Sequence, residues 1–179
     1  MSLPLTHYPA LSRPDLLATV VEAALKDLPW ADRVRVAEID PGLADTSQFC
    51  EAYGITLEES ANCVVIAGKR GGEVTYAACM VTATTRADVN GLVRQHIRAR
   101  KASFGAMDVV TSLTAMEYGG ITPVGLPDGW PVLVDDRVAT APSVVIGSGI
   151  RGSKLWLPGS LLAELPGAEV LPGLGVLAG

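Results

Sequence analysis

Two histidines and three cysteines are all that this 179-residue chain offers of those side chains for metal or covalent chemistry. Cys50, Cys63 and Cys79 have no C-x-x-C spacing, and His7 and His96 stand far apart. This excludes the zinc sets, the H-E-x-x-H helix and the deaminase signature, so no metal and no cofactor are expected. An odd number of scattered cysteines reads as reduced, buried thiols. A G-x-S-x-G elbow and a phosphate-binding P-loop are also missing, which removes two large enzyme classes. His7 falls in an expected tail and His96 on a polar helix face, so a histidine-based triad is not expected. No apolar run approaches the roughly 20 residues that a membrane helix needs. The opening MSLPLTHYPALSRPD has no basic stretch followed by an apolar core, and the expected compartment is the cytoplasm. An excess of positive charge is lacking too: 14 Lys and Arg face 19 Asp and Glu, for a net charge of −5. Neither DNA nor a membrane is an expected partner, and an RNA partner has to meet a local basic patch. Lys69-Arg70 and the run Arg94, Arg98, Arg100, Lys101 are the candidates, although each also reads as a solvated turn or helix end.

What is present is a globular composition, 49% hydrophobic and 18% charged. A chain of this length suits one domain that buries about 70% of its unfolded surface. Helical spacing runs from Ser12 or Arg13 to Lys26, with Pro14 in the first turn. Arg33 to Ile39 alternates as a half-exposed strand, and Asp45 or Thr46 caps a helix through Tyr53 that Gly54 stops. Asn62–Ala67 and Val74–Val81 flank Lys69-Arg70-Gly71-Gly72 as a β-hairpin. Further helices are expected over Arg86–Arg98, Ala106–Met116 and, opened by Pro158, Gly159–Leu165. Val132–Val134, Val144–Ile146 and Leu155–Leu157 read as strands, and Leu171–Gly179 as a frayed tail. Helices and strands interleave without strict βαβ alternation, which points to an α/β chain of the α+β type with a mixed sheet.

The richest stretch is Glu117 to Asp135, EYGGITPVGLPDGWPVLVD. Gly119-Gly120 permits φ > 0 and close backbone approach, while Pro123, Pro127 and Pro131 stiffen the loop and remove amide donors. Such a segment is either a structural turn or a rigid presenter of main-chain N–H groups. Gly147 to Gly152 satisfies G-x-G-x-x-G, but the strand-like Ser153-Lys154-Leu155-Trp156-Leu157 follows it where a dinucleotide site needs a helix. A glycine turn between two strands is the reading kept.

Tyr118-Gly119-Gly120-Ile121-Thr122-Pro123, Gly125-Leu126-Pro127 and Pro131-Val132-Leu133-Val134-Asp135 together resemble the YbaK/EbsC family. That family is similar to the editing domain of bacterial prolyl-tRNA synthetase. Val144 to Gly152, Lys154 to Leu157 and Leu161-Leu162 follow in the family's order, with Lys101 to Phe104 and Asn62 to Ile66 upstream. The resemblance covers roughly residues 42–170. It leaves 1–41 as a helix-and-strand extension packed on the domain and 171–179 as a tail.

The resemblance implies a barrel-like mixed sheet with flanking helices. It also implies a hydrolase that deacylates mischarged aminoacyl-tRNA in trans, Cys or Ala on tRNAPro by analogy. The partners are then the aminoacylated tRNA end and a synthetase. The need for such an activity is physical. One methylene in an apolar pocket is worth only about 1–3 kcal/mol, so similar small amino acids are misread. The implied catalytic set is Asn62, Gly119 and Gly120, with backbone amides at the two glycines holding the oxyanion. The implied substrate-binding set is Cys63, Lys101, Thr122, Pro123, Gly147, Ser148 and Gly149. Asp135 or Asp136 either anchors the α-ammonium or ends a strand.

One departure stands out. The family's lysine near the start of its first core strand falls on Asn62, and Asn carries no charge to polarise an ester. Lys69 lies about 20 Å along the strand, out of reach, and Lys101 is the remaining candidate cation. A basic group converging on the Gly119-Gly120 loop favours the enzyme. A cleft of Asn62, Cys63 and apolar walls alone favours a non-catalytic module that binds aminoacyl-adenosine or a related ligand.

Overall fold

The computed structural model describes residues 1–177. In chain order its regular elements are β1 (His7–Pro9), α1 (Thr19–Lys26), β2 (Arg35–Glu38), α2 (Thr46–Tyr53), β3 (Ala61–Arg70), β4 (Glu73–Thr82) and β5 (Thr85–Ala87). Then come α3 (Arg94–His96), β6 (Lys101–Phe104), α4 (Met107–Thr114), β7 (Val132–Asp135), α5 (Asp136–Thr140), β8 (Val144–Gly147), β9 (Ser153–Leu157), β10 (Ala168–Leu171) and β11 (Gly175–Leu177).

The strands form a five-stranded sheet in the order β10-β7-β4-β3-β6, a four-stranded sheet β1-β2-β9-β8 and a pair β11-β5. The large sheet is mixed: β7 runs parallel to β4 and β10, while β3 is antiparallel to β4 and β6. A single parallel bridge, Ser60 to Val145, joins the two larger sheets, so the barrel-like arrangement does not close. The β3–β4 hairpin turns on Gly71 and Gly72 at φ 59° and 84°, the two positive values that a two-residue type I′ turn requires. Gly54 at φ 70° ends α2 in the left-handed region.

The main core lies between the two larger sheets. Val21 and Leu25 of α1 meet Val144, Ile146, Leu155 and Leu157 of the small sheet and Met80, Val132 and Val134 of the large one. The other face of the large sheet is covered by Val93 and Leu174 over Ile66, Cys79, Val81 and Leu133. No helix among the described residues is long and apolar enough to cross a membrane.

Several elements differ from the sequence expectation, each for a visible reason. The first helix begins at Thr19, because residues 13–18 are held in 3-10 turns and extended backbone. Ala18 N donates to Ser148 O at 3.2 Å and Leu16 O accepts from the Ser153 hydroxyl at 2.5 Å, fastening this segment to the glycine turn. His7 belongs to a strand rather than a tail; β1 pairs with β2, and the imidazole stands edge-on to Trp156 at 4.5 Å. Thr85–Ala87 is a strand. Asp88 then opens a wide π-helical turn over Val89–Val93 by accepting from Gly91 N and Leu92 N. Gly159–Glu164 coils as a 3-10 helix.

The expected frayed tail is ordered up to residue 177. Its β11 pairs with β5, Leu174 is fully buried, and β10 ends at Leu171. The last two residues of that expectation lie outside the described residues. Buried Asp135 ends β7 and caps α5 by accepting from Arg137 N, and it accepts from Gly175 N at 2.6 Å. Of the two roles open to Asp135, strand-ending is the one its contacts fill.

Candidate active site

A cleft of about 420 Å³ opens where the start of β3, the end of β8, the residues before α2 and the segment 118–121 converge. Each wall follows from local sequence. Thr46 opens α2, and its hydroxyl donates to Asn62 Oδ1 on β3 at 2.8 Å. That leaves the Asn62 Nδ2 hydrogens with no acceptor among the described residues. Cys63, next along β3, also lines the cleft, and burial pushes its thiol well above the ordinary range. Cys79 on the neighbouring strand is pushed up to about 12 by the same cause. Both stay protonated near neutrality and are poor nucleophiles.

The rim is backbone. Gly119 takes φ 80° and lines the cleft, and its N–H has no acceptor among the described residues. Gly120 does not need positive φ, contrary to expectation; it is glycine because a Cβ there would stand 2.7 Å from the backbone of Ile150. Its N–H donates to Glu117 O at 3.0 Å and its carbonyl accepts from Gly149 N at 2.7 Å. Of the two expected oxyanion amides, therefore, Gly119 alone has its N–H to spare. Gly147 lines the cleft against this same rim, and a Cβ on it would meet the carbonyls of Gly120 and Ile121 at 2.5 Å. Gly149 has its amide committed to Gly120 and φ 89°, against Ala18 and Val21.

Arg151 staples this rim. Its backbone N–H donates to Glu117 Oε2, its guanidinium donates to Tyr118 O and Pro41 O, and Asp45 stands 3.5 Å away.

Five expected substrate-binding residues do not line the cleft: Gly149, its amide committed to Gly120, and four that lie elsewhere. Ser148 is fully buried, and its hydroxyl donates to Ser153 O beneath the turn, so it does not face the cleft. Thr122 is also fully buried, its Oγ1 without a partner among the described residues. Pro123 lines a separate groove together with Leu28 and Trp130. Lys101 sits opposite Lys69 at the far end of β3, beside Arg70 and Arg100. Asn62 and Lys69 are seven residues apart, roughly 23 Å along a strand, so Lys101 does not supply a cation to the cleft.

The residue missed by sequence reasoning is Lys154. It lies on β9, a central strand between β2 and β8, with Leu155 and Leu157 pointing into the core. Period-two alternation sends Lys154 to the other face, where Nζ lies 5.5 Å from the Phe49 ring centroid and 3.5 Å from Gly119 O. Only 9% of the residue is exposed, and it lines the cleft. Burial first, then the neighbouring Arg151 charge, holds its pKa below the ordinary lysine value, with Asp45 opposing. The available signal was a lysine inside the run Ser153–Leu157, whose other members are apolar or small.

The α+β domain thus presents a glycine-rimmed cleft that holds one buried amine. Residues 40–165 match the profile of the aminoacyl-tRNA editing domain, and the chain belongs to that family, as its YbaK-like motifs imply. Solved structures agree on the fold. A candidate trans-editing enzyme for prolyl-tRNA synthetase superposes with TM-score 0.72 at 21% identity, over 92% of this chain and 96% of the other. A chain from a study of epitope grafting onto scaffold proteins gives 0.73 at 21% identity, over 87% and 95%. Among curated proteins, none matches by sequence.

Proposed function

We propose that the protein is a trans-editing hydrolase that deacylates mischarged aminoacyl-tRNA carrying a small amino acid, with Cys or Ala on tRNAPro as the leading substrates. The observation that carries this reading is the buried amine of Lys154 beside Gly119, a basic group converging on the glycine rim. A cleft walled by Asn62, Cys63 and apolar side chains alone would have suited a binding module without turnover.

The chemistry needs little more. An aminoacyl ester is an activated acyl group, so water suffices as nucleophile once the ester is held and its carbonyl polarised. Cys63, kept protonated by burial, does not compete as a covalent nucleophile. The limited volume, about 420 Å³, suits a small amino acid with part of its ribose.

The tRNA partner is supported by charge distribution. Lys69, Arg70, Arg100 and Lys101 share one shallow surface with the single carboxylate of Glu73 at the hairpin end of the large sheet, in a chain whose net charge is −5. Such a patch is where phosphates of a bound tRNA would be neutralised.

The test is deacylation of a labelled panel: Cys- and Ala-tRNAPro, Ala- and Ser-charged noncognates, and cognate Pro-tRNAPro. Hydrolysis of a mischarged species with Pro-tRNAPro spared is expected. A folded protein that hydrolyses none of them overturns the reading in favour of the binding module.

A further inference from the structure

The geometry points to Lys154 as a catalytic residue whose ammonium donates a hydrogen bond to the negative oxygen formed when water adds to the ester carbonyl. This rests on the deacylase reading and names the group that carries its charge stabilisation. Three observations lead there. Lys154 and Asp45 are the charged side chains that line the cleft, and Asp45 is turned toward Arg151. No described carboxylate pairs with Lys154; Gly119 O at 3.5 Å and the Phe49 ring are what it faces. An amine with three donors and one long acceptor has capacity left for an oxygen that enters the cleft.

Position then decides which oxygen. Lys154 is anchored on a central strand and 9% exposed, so it sits at the inner end of the cleft rather than at its mouth. A phosphodiester keeps its charge best at the solvent edge, where Arg151 lies. The acyl group is small and carries no negative charge of its own, so it is the part of the substrate that goes inside. A fixed, partly desolvated ammonium is worth most against charge that appears only in the transition state, because no dipole has to reorient when it forms.

Written out, water oxygen bonds to the acyl carbon and the carbonyl π pair moves onto oxygen, which accepts from Lys154 Nζ. Collapse of that adduct breaks the bond from acyl carbon to ribose oxygen. One proton of the water passes to the departing ribose oxygen, and the other is released as the amino acid carboxyl ionises. Lys154 keeps its protons throughout.

The experiment compares wild type with Lys154→Met and Lys154→Gln on two adenosine probes. One carries the amino acid through a neutral 3′-amide, and the other carries the matching α-aminoalkylphosphonate, whose anionic oxygen stands where the adduct's would. Wild type is expected to bind the phosphonate about 10²-fold more tightly than the amide, and both variants to lose that preference while keeping the amide affinity within about threefold. Single-turnover deacylation by the variants is expected to fall about 10²- to 10³-fold. In wild type the rate is expected to decline where Lys154 loses its proton, at a pH below 10.5, in a field set by Arg151, Asp45 and Cys50.

Equal phosphonate preference in wild type and Lys154→Met overturns the assignment, whatever the turnover. If no ester is hydrolysed yet the preference depends on Lys154, the deacylase reading falls and the anion-facing role stands. Since removing a buried, unpaired charge seldom unfolds a domain, matched melting curves are expected for both variants.

Discussion

The Thr46 hydroxyl donates to Asn62 Oδ1 at 2.8 Å, linking the first turn of a helix to the strand that floors the cleft. The bond fixes which end of the amide is spent and which is free. Asn62 thereby offers two N–H donors where the family resemblance implies a lysine, and the charge enters from β9 instead. Thr46→Val is expected to slow deacylation roughly 2- to 10-fold, the worth of one neutral hydrogen bond. Asn62→Ala should cost at least as much, and the double variant little more than Asn62→Ala alone. Full additivity in that cycle would show that Thr46 does not act through Asn62.

Lys154 also predicts a pH dependence of stability. Its folded pKa lies below 10.5, so the folded state releases the proton before the unfolded state does. Between those two values the unfolded chain binds more protons, and stability therefore rises with pH through that window. Lys154→Met is expected to flatten this rise and to leave the protein as stable as wild type, or more so, at neutral pH. Urea melts across the alkaline range measure it; an unchanged slope in the variant would place the titrating group elsewhere.

The two adjacent rim glycines are expected to respond differently. Gly119→Ala must hold φ 80°, a left-handed strain of about 1–2 kcal/mol, and push aside the flexible Arg151 guanidinium. Gly120→Ala drives a methyl into the Ile150 backbone, which has no rotamer to escape through. Its overpacking cost is about 1–3 kcal/mol, together with loss of activity as the rim separates. Denaturant midpoints would rank them. A Gly120→Ala protein of wild-type stability would show that the rim and the 147–152 turn are not locked together.

Charge reversal at the hairpin end separates tRNA docking from chemistry. Lys69→Glu with Lys101→Glu is expected to lower kcat/KM on intact aminoacyl-tRNA. The log–log slope of that parameter against salt should become shallower by about one for each phosphate no longer neutralised. Hydrolysis of a short aminoacylated 3′ fragment should be unaffected, because the pair sits some seven strand residues from the cleft. Equal reduction on both substrates would mean that the patch acts on folding or on the cleft itself.

Much of this was legible in local sequence. Gly71-Gly72 marked the hairpin, Gly54 the end of α2, and Gly119-Gly120 the rim, because each is a backbone requirement that only a few residues meet. Tertiary partners hid the rest. Residues 13–18 carry a helical pattern, yet Ser148 and Ser153 fasten them in a 3-10 turn and extended backbone; Leu174 looked like tail, yet it completes a core layer. Lys154 escaped because alternation told which face it occupies but not that this face borders a cleft. Ser148 and Thr122 were drawn in by neighbouring glycines and prolines, whereas their side chains point inward.

The contact between Gly147 and the carbonyls of Gly120 and Ile121 has an evolutionary corollary. One jaw of the cleft is main chain against main chain, a gauge whose setting no point substitution can widen and almost any would jam. Divergence in what the domain accepts has then to be written at lining side chains, such as Ala44, Ala61, Met107 and Val145, which can grow or shrink. Relatives that share the glycines and differ at those four positions are expected to differ in the amino acid they admit, with the rim unchanged.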